Sequence, residues 1–273
     1  LQTKSQPFYV VSNTEISWRP TPPDYRRALE PYWGSLRPAI IDSLSQFSVG
    51  PSPSYFHDTD SGLVDEAGYV FSLSRALTGE QVGAALFWDD NPDMNRYIGH
   101  EVQPRRHVNP TSHWMNIIAQ ILSKESLPLS KVIEVYALAS IAFYDANLMA
   151  WKDKYHYNLI RPVTLIREHI EFNWSPILVT PPFPEYPSGH STCSAACVTV
   201  LEHFFGTEYG FSDSTHNAQG LGIRYWSSLS EAMIEVSNSR VWGGIHFPFA
   251  VESGMEQGRA IGEAILQSVY GNQ

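Results

Sequence analysis

The chain has 273 residues, 43% hydrophobic and 17% charged, which is too apolar for a disordered polymer and ample for a sizeable core. Eighteen basic residues stand against 28 acidic ones, a formal net charge of −10, and this argues against general binding to a phosphate backbone. At this length one large domain or two are both compatible with the size.

In chain order, residues 1–23 carry Pro7, Pro20, Pro22 and Pro23 and read as an extended N-terminal arm. From Asp24 the residues Ala28, Tyr32, Leu36, Ile40, Ile41 and Leu44 recur at helical steps, interrupted near Gly34 and Pro38. Residues 50–62 form a loop rich in Pro, Ser and Asp; 63–77 read as a helix, and Thr78 with Gln81 makes a capping box that opens another. Residues 89–110 show no periodicity and are dense in His, Arg, Asn and Pro, a loop long enough to be functional. Residues 111–123 are helical again.

The longest helical pattern takes Ser130 as its N-cap, places Val135, Leu138, Ala139, Ala142 and Phe143 on one face, and stops or kinks at Pro162. Its most apolar stretch, residues 132–151, contains Glu134 and Asp145 and reads as a buried helix rather than a membrane span. Five prolines make residues 174–187 a loop, and residues 191–205, 218–241 and 250–269 supply the remaining helices. Strand-like alternation is limited to ambiguous pieces at 9–11 and 177–180. The expectation is an all-α fold, a single helical domain over residues 1–273. Cys193 and Cys197 read as small core residues, and Leu1 in place of Met suggests a processed or trimmed N-terminus, with any signal peptide outside this sequence.

Three clusters carry chemistry. Lys154 and Arg161 lie seven apart, two turns of the expected helix, and so share a face. Pro187, Ser188, Gly189 and His190 open a helix whose N-terminus offers unpaired N–H groups and a positive dipole end. Ser239 and Arg240 precede His246, with Gly243 and Gly244 letting the chain turn between them. One lysine, two arginines, a Ser-Gly helix start and two histidines make a seat for a tetrahedral oxyanion. Each charge-assisted hydrogen bond to it contributes roughly 1.5–3 kcal/mol. A local cationic pocket is compatible with an acidic surface.

These motifs, with their internal spacing, resemble the signature shared by the vanadium-dependent haloperoxidases and the type-2 phosphatidic acid phosphatases. The wider wording around Trp151 and Glu185 looks most like bacterial haloperoxidases, close to the marine bacterial iodoperoxidases. The resemblance implies a helical bundle of that kind, vanadate as cofactor, and hydrogen peroxide and halide as substrates, with an organic acceptor open. It implies that His246 bonds vanadium through a ring nitrogen, and that Lys154, Arg161 and Arg240, with Ser188 and the Gly189 N–H, hold the vanadate oxygens. His190 is then the acid–base residue, and Lys154 also polarises bound peroxide. Trp151, Phe183 and Trp242 are candidate halide-pocket residues, though each also reads as packing.

One departure stands out. The family often has an Asp four residues after the final His, where this chain has Ala250, so either a backbone carbonyl or Glu252 is left to orient His246. The missing Asp weighs more against a phosphomonoesterase, in which His246 would carry a phosphoryl group, than against a peroxidase. A non-catalytic oxyanion-binding protein is the third reading. His100, His107 and His113 fit no closed zinc pattern, Arg105 and Arg106 are placed only near an entrance, and His203 reads as structural. A hypohalite producer is safest outside the cytoplasm, so the expectation is a periplasmic or secreted monomer.

Overall fold

A computed structural model describes residues 9–10, 14–50, 61–91, 95–98, 101–104 and 108–271. Its helices are α1 (Ser61–Ser74), α2 (Gly79–Phe87), α3 (Pro110–Leu122), α4 (Leu129–Tyr157), α5 (Pro162–His169), α6 (Gly189–Phe205), α7 (Leu229–Trp242) and α8 (Pro248–Tyr270). Two antiparallel hairpins join them: β1 (Asn95–Ile98) with β2 (Glu101–Pro104), and β3 (Phe211–Asp213) with β4 (Arg224–Trp226). The fold is mostly helical, as expected, but the hairpins are not where the alternation pointed. Both are too short for a period-two signal to rise above the surrounding loop. Residues 177–180 and Tyr9 are irregular, while Val11 falls outside the described residues.

The core lies where α4, α6, α7 and α8 meet, with Ala142, Ala146, Met149, Ala195, Ala196, Val200, Ile261 and Ile265 all buried. Small residues on α6 let α8 come close. Gly254, Gly258 and Gly262 recur every four residues along α8, and a Cβ at 258 would stand 2.1 Å from the Thr192 carbonyl oxygen. This crossing fixes the start of α6, where Ser188 N–H donates to Ala250 O at 2.9 Å. Among the described residues α4 is the one helix long and apolar enough to cross a membrane, and half of its most apolar window is buried inside the protein.

The helix expected from Asp24 to Leu44 is absent. Apart from short 3-10 turns at Trp33–Ser35 and Leu44–Phe47 the segment is irregular. Asp145 of α4 takes up N–H groups there, and Asp153 takes one just beyond it. Asp145 accepts from Ala39, Ile40 and Ile41 at 2.6, 3.0 and 3.1 Å, and Asp153 accepts from Val49 N–H at 3.0 Å. A buried carboxylate with several N–H donors is well satisfied, and the competing helix loses those donors. The described part of the N-terminal arm docks: Trp18 is fully buried, and its N–H donates to Asn158 O at 2.7 Å.

Three boundaries also shift. Pro128, not Ser130, precedes the first residue of α4. Residues 218–228 hold the end of a short 3-10 turn, irregular chain and a strand, so α7 begins only at Leu229, capped by Ser228. Pro162 neither kinks nor directly ends the long helix. α4 stops at Tyr157 because Asn158 turns left-handed at φ 49°, and Pro162 opens α5 at a position where a missing N–H costs nothing. The Thr78–Gln81 capping box is present with both bonds made.

Hairpin β3–β4 is tied to α3 through a buried histidine. His113 Nδ1 lies 2.8 Å from Asp90 Oδ1, and its Nε2 lies 2.7 Å from Asp213 Oδ2. Burial pulls the His113 pKa down, but the Asp90 charge and the hydrogen bonds to both carboxylates outweigh it and raise it to about 9. Because the unfolded value is about 6.5, this contribution is fully present below that pH and is lost as pH rises through 9. Thermal melts should therefore show Tm falling between about pH 7 and 10, with a loss on the order of 3 kcal/mol. His113→Gln should lack that slope, and an identical slope in both proteins would contradict the assignment.

Candidate active site

Lys154 and Arg161 do not share a helix face, because the helix ends between them. Lys154 sits in the last turn of α4 and Arg161 is the N-cap of α5. The reversal at Asn158 still brings both inward, and both are fully buried. Lys154 Nζ donates to the carbonyls of Pro184, Glu185 and Pro187 at 3.1, 2.8 and 2.5 Å. Burial and the neighbouring Arg161 push its pKa down, while three carbonyl acceptors require the three protons of the ammonium. The sequence reading did not foresee this engagement with the proline-rich loop.

Arg161 donates from Nε to Phe183 O at 2.9 Å and from Nη1 to Ile245 O at 2.7 Å and to His246 Nε2 at 3.2 Å. Arg240, on α7, donates from Nε to Ser239 Oγ at 3.1 Å and from Nη1 to His190 Nε2 at 3.2 Å. The Nη2 atoms of both arginines are buried and have no hydrogen-bond partner among the described residues. Each unmet buried donor costs about 1–3 kcal/mol, so an anion that meets both is stabilised by the protein as built.

His246 lies between α7 and α8, reached through Gly244 at φ 78°. That left-handed turn is the one expected of the glycine pair. Its Nδ1 lies 2.7 Å from Glu185 Oε1, and the same oxygen accepts from Phe247 N–H at 3.0 Å. This resolves what orients the ring: neither a backbone carbonyl nor Glu252, which is exposed, but Glu185. The Nδ1–H proton is thereby fixed and Nε2 keeps its lone pair. Burial, then Arg161, Lys154 and Arg240, push the His246 pKa well down, so the ring is neutral. Burial raises Glu185 to about 7, although Arg161 and Lys154 pull it the other way.

Ser188 is the N-cap of α6, and its Oγ accepts from Ser191 N–H at 3.4 Å and Ser191 Oγ at 3.0 Å. Gly189 and His190 follow it into a cavity of about 620 Å³, whose wall also includes Arg240, His246, Trp151 and Phe183. Lys154, Arg161 and Ser188 are fully buried and do not themselves line that cavity. Burial and the Arg240 charge push the His190 pKa well down, leaving a neutral imidazole.

Of the three aromatics, Trp151 and Phe183 line the cavity with ring centroids 5.0 Å apart. Phe183 also lies beneath both cations, 5.2 Å from Lys154 Nζ and 5.1 Å from Arg161 Cζ. Trp242 is half-buried at the end of α7 and does not line the cavity, so it leaves the halide-pocket set.

Sequence reasoning missed Glu185 as a partner of His246, although it lies five residues before His190 and is conspicuous as an acid inside a proline-rich loop. It also missed Asp90 and His216. With His113 they bring three ligand atoms within 4.8 Å of one another, a grouping able to hold a cation. Of the other histidines and arginines weighed there, His100, Arg105, Arg106 and His107 lie outside the described residues. His203 is exposed and stacks on Tyr270, and both cysteines are buried and free.

Comparison with known proteins covers the same region. The family model for the VCPO second helical-bundle domain matches residues 134–172 and 169–271. Vanadium chloroperoxidase of Curvularia inaequalis is 29% identical over 214 residues, 68% of this chain and 34% of that protein. A bacterial vanadium-dependent iodoperoxidase of known structure superposes with a TM-score of 0.85 at 37% identity, covering 98% of this chain and 63% of the other. A bacterial vanadium-dependent chloroperoxidase shares the fold, with a TM-score of 0.74 at 18% identity, covering 94% and 62% of the two chains. This chain thus spans about a third of the curated relative and under two thirds of the structural ones. The family model takes in all three oxyanion motifs, and the whole helical arrangement around them is shared: the chain belongs to the vanadium-dependent haloperoxidases.

Proposed function

We propose that this protein is a vanadate-dependent peroxidase that oxidises halide, iodide foremost, with hydrogen peroxide to hypohalous acid. The observation that carries the reading is the pair of unmet buried guanidinium nitrogens, Arg161 Nη2 and Arg240 Nη2. One belongs to the arginine bonded to His246, the other to the arginine bonded to His190. A tetrahedral oxyanion suits that donor set, and a neutral histidine whose Nε2 lone pair faces Arg161 suits a metal.

His246 would hold the vanadium through Nε2, with Glu185 keeping the Nδ1–H in place. Arg161, Arg240, Lys154, the Ser188 hydroxyl and the Gly189 N–H would hold the vanadate oxygens. When bound, vanadate supplies a Lewis-acid centre that makes peroxide electrophilic toward halide. His190, neutral beside Arg240, accepts a proton from the incoming peroxide. The balance is one halide, one peroxide and one proton giving hypohalous acid and water. Trp151 and Phe183 keep the wall beside His190 apolar. Iodide is the most easily oxidised common halide, and the relative sharing 37% identity over nearly the whole chain is an iodoperoxidase. The molecule is read as a single domain acting as a monomer outside the cytoplasm, where its oxidant does least harm.

A second reading has one observation in its favour. The Glu185–His246 pair supplies the carboxylate that a phosphohistidine enzyme needs, which removes the objection raised by Ala250. Assays of the vanadate-loaded protein against iodide, bromide and chloride, beside p-nitrophenyl phosphate hydrolysis by the unloaded protein, separate the two. Iodide oxidised fastest and the ester left intact is the expected result. Ester cleavage inhibited by vanadate, with no halide oxidation, would assign the protein to the phosphatases.

The orienting carboxylate gives a further expectation. Glu185→Leu should weaken vanadate binding by about 10–100-fold, because the His246 ring loses its fixed tautomer. Titration of the apo-protein with orthovanadate reads this directly. An unchanged dissociation constant would remove Glu185 from the site.

A further inference from the structure

His113 is fully buried, with a carboxylate oxygen at each ring nitrogen. Ionised carboxylates only accept, so the ring satisfies both by carrying two protons. Trp88 stacks on it at 4.5 Å and 30°. Asp213 is itself held by Gln120 Nε2 at 2.7 Å and Thr215 N–H at 2.9 Å. On the other side Asp90 takes a left-handed backbone, φ 46°, and reaches the wall of the cavity that His190 and Arg240 also line. The chain Asp213, His113, Asp90 thus runs from the β3 hairpin to the active-site wall, and none of the proposed chemistry uses it.

We infer that Asp213 and His113 form a buried clamp that fixes the Asp90 carboxylate against the cavity, where it positions the Arg240 guanidinium and the His190 ring. His113 and Asp213 are positioning residues, since neither touches the anion seat. The groups facing His113 are Asp90 after α2, Asp213 on β3, His216 after β3 and His190 on α6, with His216 Nε2 3.4 Å from Asp90 Oδ1. Asp90 is held anionic against its own burial by His113 and His216. The charge of Asp89, whose carbonyl also accepts from Arg240 Nη1 at 3.5 Å, and then that of Asp90 favour the cationic form of Arg240. The competing occupant of the same cluster is a divalent cation held by Asp90, His113 and His216, in which case His113 would carry one proton.

The inference rests on the proposed anion seat, so its test has arms that do not need turnover. Nitrogen NMR of the wild-type imidazoles reads the protonation of His113 directly, and elemental analysis of the same protein reads bound metal. Asp213→Asn is then titrated with orthovanadate and with inorganic phosphate, and assayed for iodide oxidation across pH. The clamp predicts a doubly protonated His113 at pH 7, no stoichiometric divalent metal, and anion affinity about tenfold weaker in Asp213→Asn. It also predicts that the basic limb of kcat moves to lower pH in that variant, because the imidazolium has lost one of its two carboxylates. A singly protonated ring, an equivalent of bound zinc or similar cation, or wild-type anion affinity in a folded Asp213→Asn would each overturn it. Failure of iodide oxidation alone, with the NMR and anion results as expected, would count against the peroxidase reading and leave the clamp supported.

Discussion

His246→Ala is expected to abolish vanadate binding and with it iodide oxidation, a loss of roughly a thousandfold or more. The ring is buried, neutral and held through Nδ1 by Glu185, so Nε2 presents a fixed lone pair beside Arg161. No neighbouring group can replace it: Glu185 lies on its far side, and His190 is bonded to the other arginine. His190→Ala is the contrast. It should keep vanadate, because both guanidinium groups and His246 remain, and lose most of its turnover because the base is gone. Equilibrium dialysis with vanadate beside the iodide assay reads both quantities. Equal vanadate loss in the two variants would refute the division of roles.

The second large effect is on the fold. Gly258→Val puts a branched side chain where even a Cβ would meet Thr192 O at 2.1 Å and Ala195 Cβ at 2.7 Å. The first contact is backbone and cannot rotate away, so α6 and α8 must separate. Overpacking of this kind costs about 1–3 kcal/mol and more where backbone is struck, which lowers Tm by several degrees. The displacement is felt at the site, since Ser188 bonds to Ala250 across that crossing. Gly258→Val should therefore show weaker vanadate binding even where it remains folded. Full stability in this variant would mean that the helices pack further apart than described.

The residues of the proposed anion seat stand out in the sequence because they sit at fixed short spacings: Ser188 with His190, Arg240 with His246. What escaped was set by contacts between distant segments. Glu185 reaches His246 across 61 positions, and His113 reaches Asp213 across 100, separations that carry no periodic signal. The false helix after Asp24 shows the reverse: a helical apolar pattern is present, but Asp145 of α4 competes for its N–H groups. Lys154 and Arg161 converge, but not through the helical spacing between them. Their convergence comes from the left-handed turn at Asn158 rather than from a shared helix face. The α8 glycines went unremarked, although their four-residue repeat is visible in the sequence.

The most direct test of the account is iodide oxidation by the apo-protein with hydrogen peroxide in phosphate-free buffer, with and without equimolar orthovanadate. Turnover is expected only with vanadate, and is suppressed when excess phosphate competes for the donors of Arg161 and Arg240. Equal turnover without vanadate, or none with it while calorimetry shows vanadate bound at one equivalent, would contradict it.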